Sequence, residues 1–131
     1  MVAAKGRETV RHLTASILTA AAIALASTGA ALSWGAISVD DSFGDEPSGL
    51  GYGFATEASS RADASAGAMD ACRSEGNDDC RVVLIFKGCG AYAASAANFG
   101  VGTGANIGTA EKRAMAQCNG ADCVVVVSGC E

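Results

Sequence analysis

The sequence predicts a small α+β domain of two pseudo-symmetric β-β-α-β halves, forming a mainly antiparallel sheet with two helices and stapled by disulfides. Three observations lead there. First, segments recur in order along the chain. Gly35-Ala36-Ile37-Ser38-Val39 is answered by Gly90-Ala91-Tyr92-Ala93-Ala94, and Ala68-Met69-Asp70-Ala71-Cys72 by Ala114-Met115-Ala116-Gln117-Cys118. Asp79-Cys80-Arg81-Val82-Val83 is answered in turn by Asp122-Cys123-Val124-Val125-Val126. Second, each repeat passes from a strand-like run through Gly-rich sequence to a helical stretch and then a β-branched run. Third, all six cysteines (Cys72, Cys80, Cys89, Cys118, Cys123, Cys130) lie in the repeated region, three per half in matching places.

Taken in order, residues 1–33 differ in kind from the rest of the chain. Lys5, Arg7 and Arg11 make a positive start, Leu13 to Ala26 an apolar core, and Ser27 to Ala31 a small-residue tail. This is the pattern of a secretory signal peptide, with cleavage fitting after Ala30, Ala31 or Ser33. The alternative is an uncleaved N-terminal anchor, because Leu13 to Leu32 approaches the roughly 20 residues that span a bilayer. Either way the expected location is outside the cytoplasm, secreted or in the cell envelope. Residues 34–131 then form the single domain. About a hundred residues bury a marginal core, for which small exported domains commonly compensate with disulfides.

Within the domain, Gly35–Val39 reads as a strand. The loop from Asp40 to Gly51, with Pro47 and several acids, reads as exposed and mobile. A helix follows from Ser59 to about Arg73, and Ala62, Ser65, Met69 and Cys72 fall on one stripe of it. The second helix runs from Thr109 to about Cys118. Ser60 and Thr109 are the expected caps, since a hydroxyl oxygen accepts from an unpaired N–H of the first turn. Arg81–Phe86 and Val124–Val127 are brief β-branched runs placed where central strands belong. An even cysteine count behind an export signal reads as a disulfide framework. Cys72–Cys80 and Cys118–Cys123 each span a helix end and the next strand, which leaves Cys89 with Cys130. That last bridge is expected to tie the two halves together.

Composition removes several functions. The 131-residue chain carries a net charge of −5. From Trp34 onward it has six basic residues against thirteen acidic ones, a net charge of −7. A phosphate-binding surface needs clustered Lys and Arg, so neither nucleic acid nor an anionic membrane surface is an expected partner. His12, in the leader, is the only histidine. A processed chain therefore lacks the imidazole of Ser-His-Asp or Cys-His catalysis and of His-ligated zinc. The cysteine spacings also depart from the paired ligands, two to four residues apart, of thiolate zinc sites. Gly100-Val101-Gly102-Thr103-Gly104 fits neither a phosphate loop nor a dinucleotide fingerprint and reads as part of a Gly-rich hairpin.

Two clusters remain as candidates. Asp40, Asp41, Asp45 and Glu46 offer carboxylates for calcium or for acid/base work. Neighbours on a strand point to opposite faces, so Asp40 and Asp41 do not converge, and the cluster reads as a solvated acidic turn. Trp34, Tyr52, Phe54, Tyr92 and Phe99 lie on the strands that flank the glycines. Most read as core or half-buried, and an exposed subset as a recognition face, because aromatics anchor interfaces.

These segments, in their order and spacing, resemble a known family. Trp34-Gly35-Ala36-Ile37-Ser38-Val39-Asp40, Ser60-Arg61-Ala62, Cys72 with Asp79-Cys80-Arg81-Val82-Val83, and Cys89-Gly90-Ala91 resemble the bacterial domain of unknown function 4189, over roughly Trp34 to Cys130. The resemblance implies a compact α-β fold in an exported protein of actinobacterial type, and mycobacterial members that look like host-linked exported factors. It implies no activity. The expected function is protein binding by a monomeric domain without cofactor or metal, as an inhibitor, an immunity-like protein or a host-directed factor. The alternatives are a carboxylate-based hydrolase of envelope polymers and a structural envelope component.

Overall fold

Strand β1 (Trp34–Asp40) is buried along almost its whole length, as small and β-branched residues at the middle of a sheet should be. It pairs antiparallel with β2 (Gly51–Ala58) on one side and β3 (Arg81–Phe86) on the other. Strand β4 (Cys89–Ala94), buried throughout, has the same place between β5 (Phe99–Gly104) and β6 (Val124–Cys130). The two halves thus supply two three-stranded antiparallel sheets, ordered β2-β1-β3 and β5-β4-β6. Helix α1 (Arg61–Ser74) links β2 to β3, and α2 (Ile107–Cys118) links β5 to β6. The computed structural model describes residues 33–42 and 47–131, the Ser48 side chain excepted. The expected signal peptide or anchor, apart from Ser33, lies outside the described residues, as do Asp45 and Glu46.

Strand alternation sorts the core into three layers. Ile37 and Val39 face Phe86, Tyr92 and Ala94 between the sheets. Ala36 packs on Ala64 and Ala68 of α1, while Ala91 and Ala93 pack on Ala110, Ala114 and Cys118 of α2. Each sheet is therefore covered by a helix on one face and by the other sheet on its second face. The helices lie very close to the strands, and glycine is the reason. A Cβ on Gly53 would overlap the carbonyl oxygen of Ala68, and one on Gly100 that of Ala114. The glycine-rich run is thus strand β5, with Gly100, Gly102 and Gly104 all turned to α2, and its glycines serve packing.

The helices differ from the sequence-based expectation in two places. The buried stripe of α1 is Ala64, Ala68 and Cys72, whereas Ala62 is exposed and Ser65 and Met69 are half-buried. Only Ala or Cys fits against a glycine-lined sheet, so the larger side chains sit at the margins. The N-cap of α2 is Asn106, whose side-chain oxygen accepts from the Thr109 N–H at 2.9 Å. Thr109 is consequently inside the first turn. Ser60 caps α1 in the equivalent way, accepting from the Asp63 N–H at 3.0 Å.

The disulfides are Cys72–Cys80, Cys118–Cys123 and Cys89–Cys130. The two short ones each fasten a helix C-terminus to the strand after it. The long bridge corrects the expectation that it ties the halves together. Cys89 and Cys130 are direct cross-strand partners of β4 and β6, with Cα atoms 4.0 Å apart, so the bridge closes the second sheet on itself. The apolar layer between the sheets is what joins the halves. Among the described residues no helix is long and apolar enough to cross a membrane.

Candidate functional site

The five aromatic residues singled out by sequence occupy different environments. Tyr92 is buried between the sheets, where loss of solvent pushes its hydroxyl pKa up. Phe54 is half-buried against Phe86, ring centroids 5.8 Å apart. Trp34 is half-buried under two cations, the Arg61 guanidinium 5.0 Å and the Lys87 ammonium 4.4 Å from the ring centroid. Tyr52 and Phe99 are the open ones, 43% and 54% exposed. They hold equivalent positions in the edge strands β2 and β5, Tyr52 opposite Val39 and Phe99 opposite Ala94. Phe99 stacks on Tyr92 and lies under the Arg81 guanidinium, which narrows the surface it offers. Tyr52 carries neither contact.

The acidic candidates do not converge. Asp40 is buried, which corrects its assignment to a solvated turn. One carboxylate oxygen accepts from the Ser42 N–H at 3.0 Å and from the Ser42 hydroxyl, and the other from the Asp79 N–H at 3.0 Å. These bonds, the Ser42 hydroxyl first, hold its pKa below the ordinary 3.8. Asp41 is exposed and forms an ion pair with Arg81, whose pKa it raises through a hydrogen bond. Each carboxylate thus has a structural partner on a different side of the chain. Among the described residues no group of three or more His, Cys, Asp or Glu side chains is placed to hold a metal ion.

Two concavities flank the open end of the sheets. One, of 320 Å³, lies between the β4–β5 turn and the segment after β1, with Tyr92 and Phe99 in its wall. The other, of 490 Å³, follows the outer edge of β2. Its wall is Leu50 and Gly51–Phe54, faced by Ala71 in the last turn of α1 and by Glu75 and Asn77 just after it. Asn77 is fixed there by donating from its amide nitrogen to the Cys72 carbonyl at 2.9 Å. Sequence reasoning selected Tyr52 and Phe54 but missed Leu50, Ala71, Glu75 and Asn77. A small residue such as Ala71 marks a groove only once its neighbours in space are known.

Comparison with known proteins adds one finding. Residues 34–130 match a family described as Domain of unknown function (DUF4189). No curated protein and no solved structure matches the chain.

Proposed function

The chain belongs to the DUF4189 family, whose description carries no reaction, and from that premise we propose that it is an exported domain acting by binding a protein partner. The observation that carries the reading is the 490 Å³ groove on the outer edge of β2, lined by Leu50, Phe54, Ala71, Asn77, the acidic Glu75 and the exposed Tyr52. Aromatic side chains next to unpaired strand backbone suit recognition of another polypeptide. A hydrolytic role would need two carboxylates facing one substrate. Asp40, withdrawn into its bonds with Ser42 and Asp79, and Asp41, paired with Arg81, give that role no support. Export is inferred from the charged start, apolar core and small-residue tail of residues 1–33, and is consistent with three bridges that an oxidising compartment preserves.

Two experiments test this. A photo-crosslinking amino acid placed at Tyr52 in the full chain, expressed in its native type of host, should give discrete adducts with another protein that the same probe at Lys112 does not give. Equal adducts from both positions, or none, would overturn the binding reading. N-terminal sequencing of the protein recovered outside the cytoplasm should find a new terminus between Ala31 and Gly35. Recovery only as a full-length cytoplasmic chain would overturn export.

A further inference from the structure

The pseudo-symmetry of the fold exposes a difference between its two halves that bears on how a partner binds. Strand β5 lies at the edge of its sheet, and two of its outward backbone groups are taken by side chains of helix α2. The Gln117 side-chain oxygen accepts from the Val101 N–H at 2.6 Å, and the Arg113 guanidinium donates to the Thr103 carbonyl at 2.7 Å. These two side chains occupy the ladder positions that an incoming strand would need.

The corresponding positions in the first half follow from the helix–strand contacts. Gly53 sits on Ala68 and Cys72 as Gly100 sits on Ala114 and Cys118. Register agrees, with Ser38 opposite Gly53 as Ala93 is opposite Gly100. Val101 therefore corresponds to Phe54, and Gln117 and Arg113 to Ala71 and Gly67, while beyond Ala55 strand β2 bulges and Glu57 takes a left-handed φ of 56°. Ala71 and Gly67 have no side chain that reaches the strand. The outward N–H of Phe54 accordingly has no hydrogen-bond partner among the described residues, and the groove lies where the Gln117 counterpart would be.

We infer that the outer edge of β2 is a strand-addition site that takes an extended segment of a partner protein, and that this segment carries a basic side chain. The inference rests on the protein-binding reading above and specifies its mode. An unpaired sheet edge offers main-chain hydrogen bonds that give affinity, while alternate side chains of the added strand give specificity. Here one set of alternate side chains would pack beside Tyr52 and Phe54, and so is apolar. Charge selects the rest. Glu75 lines the groove, Glu57 is exposed at the far end of β2, and no Lys or Arg lines it, in a domain of net charge −7.

Phage-displayed random twelve-residue peptides selected on the oxidised full chain supply the probe. Selected peptides should share alternating apolar residues with a Lys or Arg, and binding should slow hydrogen exchange at the Phe54 amide. Ala71→Gln, which copies the blocking residue of α2, should weaken them about tenfold or more, since it removes a ladder hydrogen bond and fills the groove. In the opposite direction, Arg113→Ala with Gln117→Ala opens β5 and should raise the stoichiometry toward two peptides per chain. Peptides that bind the Ala71→Gln protein as tightly as the parent, or that protect a different surface, would overturn strand addition. So would a chain that instead pairs with itself through β2, seen as dimerisation abolished by Ala71→Gln. If adducts at Tyr52 persist undiminished in Ala71→Gln, the binding reading stands and only the strand mode fails.

Discussion

Asp40 illustrates how far one side chain's role depends on its hydrogen bonds. Its position at the end of β1 places the carboxylate over the loop that precedes β3, where it accepts from Ser42 and from the Asp79 N–H. It fastens two loops 39 residues apart in the chain. Asp40→Asn should lower the melting temperature by several degrees, because one amide N–H₂ must then face the N–H donor of Ser42 or Asp79. Asp41→Asn, which loses only an exposed ion pair, should leave it nearly unchanged. Thermal denaturation of the two variants side by side checks this, and equal effects would contradict it. Asp40 and a second carboxylate, Asp63, set the acid limit. Asp40 and Asp63 both have pKa values lowered from 3.8, Asp40 chiefly by the Ser42 hydroxyl and Asp63 chiefly by the Ser59 hydroxyl. A lowered folded-state pKa means that the folded protein binds fewer protons than the unfolded chain. Its stabilisation is complete above the unfolded value and is lost as pH falls through the lower folded value. Urea midpoints should therefore hold steady from pH 7 to about 5 and fall below about pH 4, with a smaller acid limb in Asp40→Asn.

At the scale of elements, glycine alternation on a strand and alanine spacing on a helix form one device. Gly102 and Ala110 show its tolerance. A Cβ at Gly102 would overlap the Ala110 carbonyl oxygen, so Gly102→Ala must push α2 off the sheet and should cost about 1–3 kcal/mol. Gly108, by contrast, lies inside α2, and a Cβ there meets nothing nearer than the Asn106 side-chain oxygen at 3.6 Å. Gly108→Ala should stabilise the protein by about 0.5–1 kcal/mol through helix propensity. Chemical denaturation of both variants measures the contrast, and effects of the same sign would mean that the helix–sheet distance is not what glycine sets. The strands Arg81–Phe86 and Val124–Val127 and the Ser60 cap were legible in the sequence, because β-branched runs and a hydroxyl before a helix act locally. Both strands, however, lie at sheet edges and not at the centre where the sequence suggested them. The stripe on α1 was not legible. With alanine on several faces, hydrophobicity does not phase the helix, and the choice of Ala68 and Cys72 is made by Gly53 across the interface. The groove was equally hidden, since its defining feature is the short side chain of Ala71.

For the whole molecule, the sequence repeat pointed to two halves but not to their division into two sheets, which depends on where β3 ends and β4 begins. Lys87-Gly88 is the turn between them, so Cys89 opens the second sheet and does not close the first. That placement changes what the long bridge is expected to do. Spanning 41 residues, Cys89–Cys130 should contribute about 4 kcal/mol by loop entropy, against roughly 2–2.5 kcal/mol for bridges spanning 8 and 5 residues. A domain of this size has about 5–15 kcal/mol in total. Cys89→Ala with Cys130→Ala should thus remove much of its stability, whereas Cys118→Ala with Cys123→Ala should be tolerated. The lost bridge lies wholly in the second sheet, yet the first should not survive alone. Ile37, Val39 and Phe86 are buried against Tyr92 and Ala94, so unfolding either sheet uncovers the apolar face of the other. The Cys89→Ala, Cys130→Ala protein should therefore unfold in urea in a single transition at a lower midpoint, with amides of β1 and β4 losing exchange protection together. Two separate transitions, the second half melting first while β1 stays protected, would show that the inter-sheet layer does not couple the halves.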